Sequence, residues 1–112
     1  MHDQMYPLPS REFSDHRREL APEVDKAFHD FSKAAFADGA LSRKLKQLIA
    51  VAVAHATQCP YCIRSHTQGA LRDGATEREI MEAIWVAAEM RAGAAFAHSV
   101  IALEAMTEAV HR

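Results

Sequence analysis

The residues of this chain best suited to chemistry are two cysteines separated by two residues and a histidine that follows them. Cys59 and Cys62 are joined by Pro-Tyr, and His66 comes four residues after Cys62. A thiol at a helix start faces unpaired N–H groups and the positive end of the helix dipole, and both favour the thiolate. His66 would lie one helical turn away on the same face, where it could carry a proton. A nucleophilic thiol, a resolving thiol and an adjacent base together predict a redox-active site.

The same motif leaves two other interpretations open. His55 precedes Cys59 by four residues, so His55, Cys59, Cys62 and His66 could supply the four ligands of a tetrahedral zinc site. All four would come from one stretch of almost continuous helix, whereas structural zinc sites usually join separate segments, and this favours redox chemistry. Two inert buried cysteines are the remaining interpretation, but packing does not explain the Pro-Tyr insert or the following histidine.

Two further histidines have uncertain roles. His55 could reach the site from one turn before Cys59, or it could be a core histidine with its hydrogen bonds satisfied. His98 lies on an otherwise apolar helix, and we expect it to be buried and hydrogen-bonded. Trp85 and Met90 are expected in the core.

Two helices must position the motif. Ser42 is a residue type favoured at an N-cap, and the helix that it opens is rich in alanine and apolar over much of its surface. This predicts a buried central helix that another helix can approach closely. Pro60 interrupts the hydrogen-bond ladder and is favoured in the first turn of a new helix. We expect that second helix to run from Pro60 to Arg72 and to end at Asp73-Gly74.

Helices are also predicted before this pair. Residues 1–9 are expected to form an irregular arm, because two prolines resist regular structure there. A short polar helix follows Ser10 and continues to Glu19. Pro22 opens a longer helix that stops near Asp38-Gly39 and carries one apolar stripe: Leu20, Val24, Phe28, Phe31 and Ala35.

The C-terminal part of the chain predicts two more helices. Thr76 and Glu79 form a capping box that opens the first of them, and Gly93 allows a bend before the second. No sustained alternation of a strand occurs anywhere in the chain. The predicted fold class is therefore all-α, a compact bundle of about five or six helices.

Composition narrows the function classes further. The chain has 112 residues, 49% of them hydrophobic, with a formal net charge of -2. This predicts one domain over residues 1–112, with an N-terminal arm and short helix in 1–19 and a helical core in 20–112. The negative net charge argues against nucleic acid as a partner. No signal peptide is visible, so we expect a cytoplasmic protein. No apolar run is long enough to span a membrane, so we do not expect membrane binding. The apolar faces of several short helices exceed what one small core needs, which predicts a homo-oligomer.

A family resemblance supports the redox interpretation. The run from Lys44 to His55, followed by Cys59-Pro60-Tyr61-Cys62 and His66, resembles the carboxymuconolactone decarboxylase superfamily, and more narrowly its AhpD-like alkylhydroperoxidase branch. The segment Gly93–His98 fits the resemblance as well, which covers about residues 40–105. It implies an all-helical unit that assembles as trimers or hexamers and a thiol peroxidase activity.

The resemblance also implies roles for single residues. The second cysteine of the pair, Cys62, would react with the peroxide, Cys59 would resolve the product, and His66 would belong to the proton relay. Gln47 stands 12 residues before Cys59, where the family relay often has a glutamate. An amide can orient a water or a histidine but cannot accept a proton at neutral pH. Tyr61 stands where some members carry a histidine.

The resulting hypothesis is a thiol–disulfide oxidoreductase that reduces a hydroperoxide or a protein disulfide. An external dithiol would restore the cysteine pair, and neither an organic cofactor nor a metal is required. The alternatives are a zinc-binding or otherwise non-catalytic helical assembly module, and a lactone enzyme of the decarboxylase kind. Decarboxylase members generally lack the cysteine pair, which argues against the last alternative.

Overall fold

The computed structural model describes residues 5–110, and these are helical throughout their regular structure, with no strand among them. Five helices follow one another within this part of the chain: α1 (Arg11–Leu20), α2 (Pro22–Phe36), α3 (Arg43–Thr57), α4 (Pro60–Arg72) and α5 (Glu77–Val110). The all-α prediction is confirmed. Part of the predicted N-terminal arm, residues 1–4, lies outside the described residues.

Contacts divide the described chain into two compact units, with the division between Ala37 and Asp38. This groups α2 with α1, although the helical core was expected to begin at residue 20. The single-domain assignment itself stays a prediction, and each unit is described by itself below.

The first unit consists of α1 and α2, and both helices begin where the sequence indicates. Ser10 caps α1, since its Oγ accepts a hydrogen bond of 3.1 Å from the backbone N–H of Phe13. Pro22 occupies the first turn of α2. The predicted stripe on α2 is present but open to solvent within this unit, because Val24, Phe28 and Phe31 are all more than half exposed.

The second unit is built around α3, which packs against both α4 and α5. Ser42 caps α3 by accepting a hydrogen bond of 3.1 Å from the N–H of Leu45. Val51 of α3 and Ala70 of α4 are completely buried and form the centre of the core, and Ile80 of α5 closes it. The helix is central to this unit, as predicted, but it is not buried throughout, because Leu45, Ile49 and Val53 are each more than 40% exposed.

A left-handed residue turns the chain from α3 into α4. Gln58 has a φ of 58°, and the N–H of Cys59 donates to the carbonyl of Ala54 at 3.0 Å. Pro60 then starts α4, as predicted, because its missing N–H would have no partner in the first turn of a helix. This tight connection places the cysteine motif directly against the end of α3.

Gly74 and a capping box connect α4 to α5. Gly74 has a φ of 95°, a conformation that residues with a Cβ rarely adopt. The N–H of Thr76 donates to Glu79 Oε1 at 2.8 Å, and the N–H of Glu79 donates back to Thr76 Oγ1 at 3.1 Å. Lys44 of α3 pairs with the same carboxylate at 2.9 Å. The predicted box is confirmed, and it also anchors α5 to the start of α3.

The prediction of two C-terminal helices is wrong, because α5 continues without interruption from Glu77 to Val110. Gly93 lies inside it, and a side chain there would meet only the carboxylate of Glu89 on the same helix. An isolated glycine costs a helix about 1 kcal/mol relative to alanine but does not end it. By length and composition alone, α5 could also cross a membrane, and only 6% of its apolar part is buried, unlike the core helix of a soluble protein that passes the same test.

The expected burial of several α5 residues is also wrong. Trp85 is 68% exposed, Met90 is 64% exposed, and His98 is exposed. Every residue from 94 to 110 is exposed, because this half of the helix extends past the residues that pack on α3. The helical pattern predicted the apolar residues correctly, but within this unit nothing covers them.

We predict that Thr76→Ala lowers the free energy of unfolding by about 1 kcal/mol, because it removes the oxygen that accepts the Glu79 N–H. Urea denaturation at one fixed protein concentration measures the change. Glu82→Ala, at an exposed position of the same helix without a capping role, is the control and should change stability by less than about 0.5 kcal/mol. Equal effects of the two substitutions would contradict the capping role.

Candidate functional site

The two cysteines are joined by a disulfide at the start of α4. Their Cα atoms lie 5.3 Å apart, within the usual range for a disulfide. Both residues are partly buried, so the pair is neither sealed in the core nor fully open to solvent. The arrangement allows the pair to alternate between dithiol and disulfide with little backbone movement.

Cys59 is the N-cap residue of α4. Its Sγ accepts a hydrogen bond of 3.3 Å from the backbone N–H of Cys62. The sequence places Cys62 in the first turn, which is confirmed, but the first-turn N–H that faces sulfur belongs to Cys62 and points at Cys59. The sequence could have indicated this hydrogen bond, because an N-cap side chain accepts from the N–H two or three residues later, and Cys62 follows Cys59 by three residues. A thiolate on Cys59 would be stabilised by this N–H and by the helix dipole.

His66 is held by Gln47. Its Nδ1 lies 2.9 Å from Gln47 Oε1, and this contact joins α4 to α3 across 19 residues of sequence. Gln47 is 7% exposed and is the one buried polar residue within residues 5–110. An amide oxygen only accepts, so a neutral His66 that donates to Gln47 Oε1 carries its proton on Nδ1 and its ring lone pair on Nε2.

Burial keeps His66 neutral. Desolvation of the charged ring lowers the pKa of His66 below its usual value of 6.5. Gln47 carries no charge and therefore does not offset this effect, as a carboxylate would. At neutral pH the ring can accordingly accept a proton.

The hydrogen bond of His55 stays within α3 and does not connect it to the cysteines or to His66. His55 Nδ1 lies 2.8 Å from the carbonyl oxygen of Val51, one turn earlier on the same helix. The side chain is partly buried, so it combines features of both interpretations. A role for His55 in the site stays a prediction.

The zinc interpretation would need His55, Cys59, Cys62 and His66 around one ion. Within residues 5–110, no group of three or more His, Cys, Asp or Glu side chains is arranged to hold a metal ion. Both sulfurs are engaged in the disulfide, and Nδ1 of His66 is directed at Gln47.

Comparison with known sequences gives one family. Residues 22–105 match the sequence model of the carboxymuconolactone decarboxylase family. An uncharacterized protein of the cox locus of Paracoccus denitrificans is 65% identical over 85 residues, which cover 76% of this chain and 77% of that protein. An uncharacterized protein of Cupriavidus necator is 40% identical over 72 residues, which cover 64% of each chain.

Solved structures share the fold. A protein from Methanobacterium thermoautotrophicum is 41% identical with a TM-score of 0.70, and the match covers 74% of this chain and 93% of that one. A carboxymuconolactone decarboxylase family protein from Legionella pneumophila is 41% identical with a TM-score of 0.64, covering 81% of each. A family member from Thermotoga maritima, for which a part in antioxidative response has been suggested, is 25% identical with a TM-score of 0.55, covering 73% of this chain and 94% of that one.

We predict that the imidazole of His66 titrates with a midpoint below 6.5. The lowered pKa means that the unfolded chain binds the proton more readily than the folded chain as the pH falls. The free energy of unfolding should therefore decrease as the pH falls through 6.5 towards the lower folded-state pKa. NMR titration of the ring nitrogens measures the midpoint, and His66→Gln should remove this part of the pH dependence. A midpoint at or above 6.5 would contradict the assignment.

Proposed function

We propose that this chain, which belongs to the carboxymuconolactone decarboxylase family, is an AhpD-type thiol oxidoreductase that reduces a hydroperoxide or a protein disulfide. The observation that carries the proposal is the Cys59–Cys62 disulfide at the start of a helix. His66 follows one turn later and is hydrogen-bonded to Gln47. The antioxidative role suggested for the Thermotoga maritima relative points in the same direction.

The first step is attack of Cys62 on the peroxide. His66 accepts the thiol proton at Nε2, and the Cys62 thiolate attacks one peroxide oxygen. A sulfur–oxygen bond forms while the oxygen–oxygen bond breaks, so Cys62 becomes a sulfenic acid and the peroxide is reduced by two electrons. The leaving alkoxide takes the proton from His66 and departs as an alcohol.

The second step is resolution by Cys59. Its thiolate attacks the sulfenic sulfur of Cys62, a sulfur–sulfur bond forms, and hydroxide leaves and becomes water with the thiol proton of Cys59. The product is the disulfide seen in the structure. Because the N–H of Cys62 faces the sulfur of Cys59, the attacking thiolate is stabilised at the place where it is needed.

An external dithiol then restores the pair. Its thiolate attacks the sulfur of Cys62, and the Cys59 thiolate leaves towards the N–H that stabilises it. The partner's second thiol attacks the mixed disulfide and releases Cys62. The complete cycle converts hydroperoxide and dithiol into alcohol, water and the partner's disulfide, and it requires no organic cofactor. We place the reaction in the cytoplasm, where dithiol reductants are maintained.

The direct test is oxidation of the reduced protein by an organic hydroperoxide in a stopped-flow instrument. Cys62→Ser should abolish peroxide consumption, because the attacking sulfur is gone. Cys59→Ser should still consume one equivalent and accumulate a sulfenic acid that dimedone traps on Cys62. Wild-type rates of peroxide consumption by Cys62→Ser would refute the mechanism.

A lactone reaction is the second candidate, and the family match is the observation that favours it. Such an enzyme would keep its turnover after replacement of both Cys59 and Cys62. Turnover of a lactone substrate by the Cys59→Ser/Cys62→Ser double variant therefore separates the two functions.

We further propose that the protein acts as a homo-oligomer, a trimer or a hexamer. Phe96 is 82% exposed, and Val100 and Ile101 are each more than 60% exposed on the uncovered half of α5. Several large apolar side chains exposed on one helix favour a role in an interface.

Light scattering should accordingly give three or six times the chain mass of 12.4 kDa. Phe96→Glu should lower that mass, because it introduces a charge into the apolar surface without disturbing the core of the second unit. A wild-type mass of 12.4 kDa would contradict the proposal.

A further inference from the structure

Gly69 lies directly against the amide of Gln47. It is buried on α4, three residues after His66. A Cβ added to Gly69 would come within 2.9 Å of Gln47 Oε1, 3.0 Å of Cδ and 3.0 Å of Nε2. The three nearly equal distances mean that the amide group lies flat over the position where any other residue would carry its side chain.

The backbone does not explain glycine at this position. Gly69 lies in the interior of α4, and only Gly74 and Gln58 have a positive φ within residues 5–110. A glycine in a helix interior costs about 1 kcal/mol relative to alanine. What glycine provides at position 69 is therefore space, and the atoms that occupy this space are those of the Gln47 amide.

We propose that Gly69 is a positioning residue for His66 and acts through Gln47. Its missing Cβ leaves room for the amide to reach Nδ1 of His66 at the 2.9 Å contact, where donation to the amide oxygen would favour the proton on Nδ1. The inference rests on the proposed function for its catalytic meaning, because Nε2 of His66 is the base of the first step. Its structural content, control of the histidine tautomer by a glycine, can be measured without any activity.

The clash in Gly69→Ala involves the far end of a flexible side chain and no backbone atom among the three nearest. The amide of Gln47 should therefore move while α3 and α4 stay in place. Without the carbonyl oxygen at Nδ1, part of the His66 population takes its proton on Nε2 instead. Those molecules cannot accept the Cys62 proton, so the first oxidation step should slow by about tenfold, below the full contribution of general base catalysis.

The experiment is NMR of the imidazole nitrogens in the oxidised protein, with Gly69→Ala compared to wild type and to Gln47→Ala. Wild type should show the Nδ1–H form of His66, whereas Gly69→Ala and Gln47→Ala should both shift towards Nε2–H. Gly69→Ala in the Gln47→Ala background should add nothing further. Gly93→Ala is the matched control, because the nearest atom to its Cβ, Glu89 Oε1, lies 3.4 Å away.

Each outcome decides the proposal. An unchanged His66 tautomer in Gly69→Ala overturns it, and so does an effect that persists in full without Gln47. If Gly69→Ala alone fails to fold, recovery of folding in Gly69→Ala/Gln47→Ala supports the proposal, and failure of both overturns it. Absence of peroxide consumption by the wild-type protein, together with the tautomer shift in Gly69→Ala, would refute the proposed function and leave the role of Gly69 intact.

Discussion

The hydrogen bond between Gln47 and His66 is the contact on which the rest of the site depends. It is polar and partly buried, and it joins the two helices that the cysteine turn connects. A buried amide without a partner costs roughly 1–3 kcal/mol, so sliding of α3 along α4 would be penalised at this point. The bond therefore orients the ring, and it favours the observed register that the packing of Val51 on Ala70 already holds.

An amide at this position produces a different base from a carboxylate. A carboxylate next to Nδ1 would stabilise the imidazolium and raise the pKa of the ring. Gln47 orients the ring without adding charge, so burial dominates and the pKa of His66 falls. The ring is then available as a neutral acceptor over a wider pH range, but it is a weaker base, and the driving force for taking the thiol proton is smaller. The dipole at the start of α4 compensates in part, because it stabilises the thiolate form of the pair.

Features encoded within one helical turn were predictable from the sequence, whereas features that depend on distant packing were not. Ser42, Pro60 and the Thr76–Glu79 box act on backbone groups two to three residues away, and each is found where it was expected. Gly93 alone did not predict the end of a helix correctly, because a glycine breaks a helix only when neighbouring elements favour the break. Exposure of Trp85 and His98 depends on what covers α5, which no local pattern contains. The Gln47 position came from family spacing, but the part played by Gly69 is an absent atom and leaves no chemical signal in a sequence.

The asymmetry of the cysteine pair follows from combining both kinds of information. Sequence and resemblance assign the attack to Cys62, which precedes the histidine base by one turn, while the structure directs the first-turn N–H at Cys59. These assignments agree if the two sulfurs need stabilisation at different steps. In the proposed mechanism, Cys62 needs a base at the moment of attack, and Cys59 needs a hydrogen-bond donor when it attacks the sulfenic acid or leaves the disulfide. The backbone N–H of Cys62 thus stabilises the sulfur of Cys59. The two cysteines could exchange their proposed roles only if the start of α4 moved.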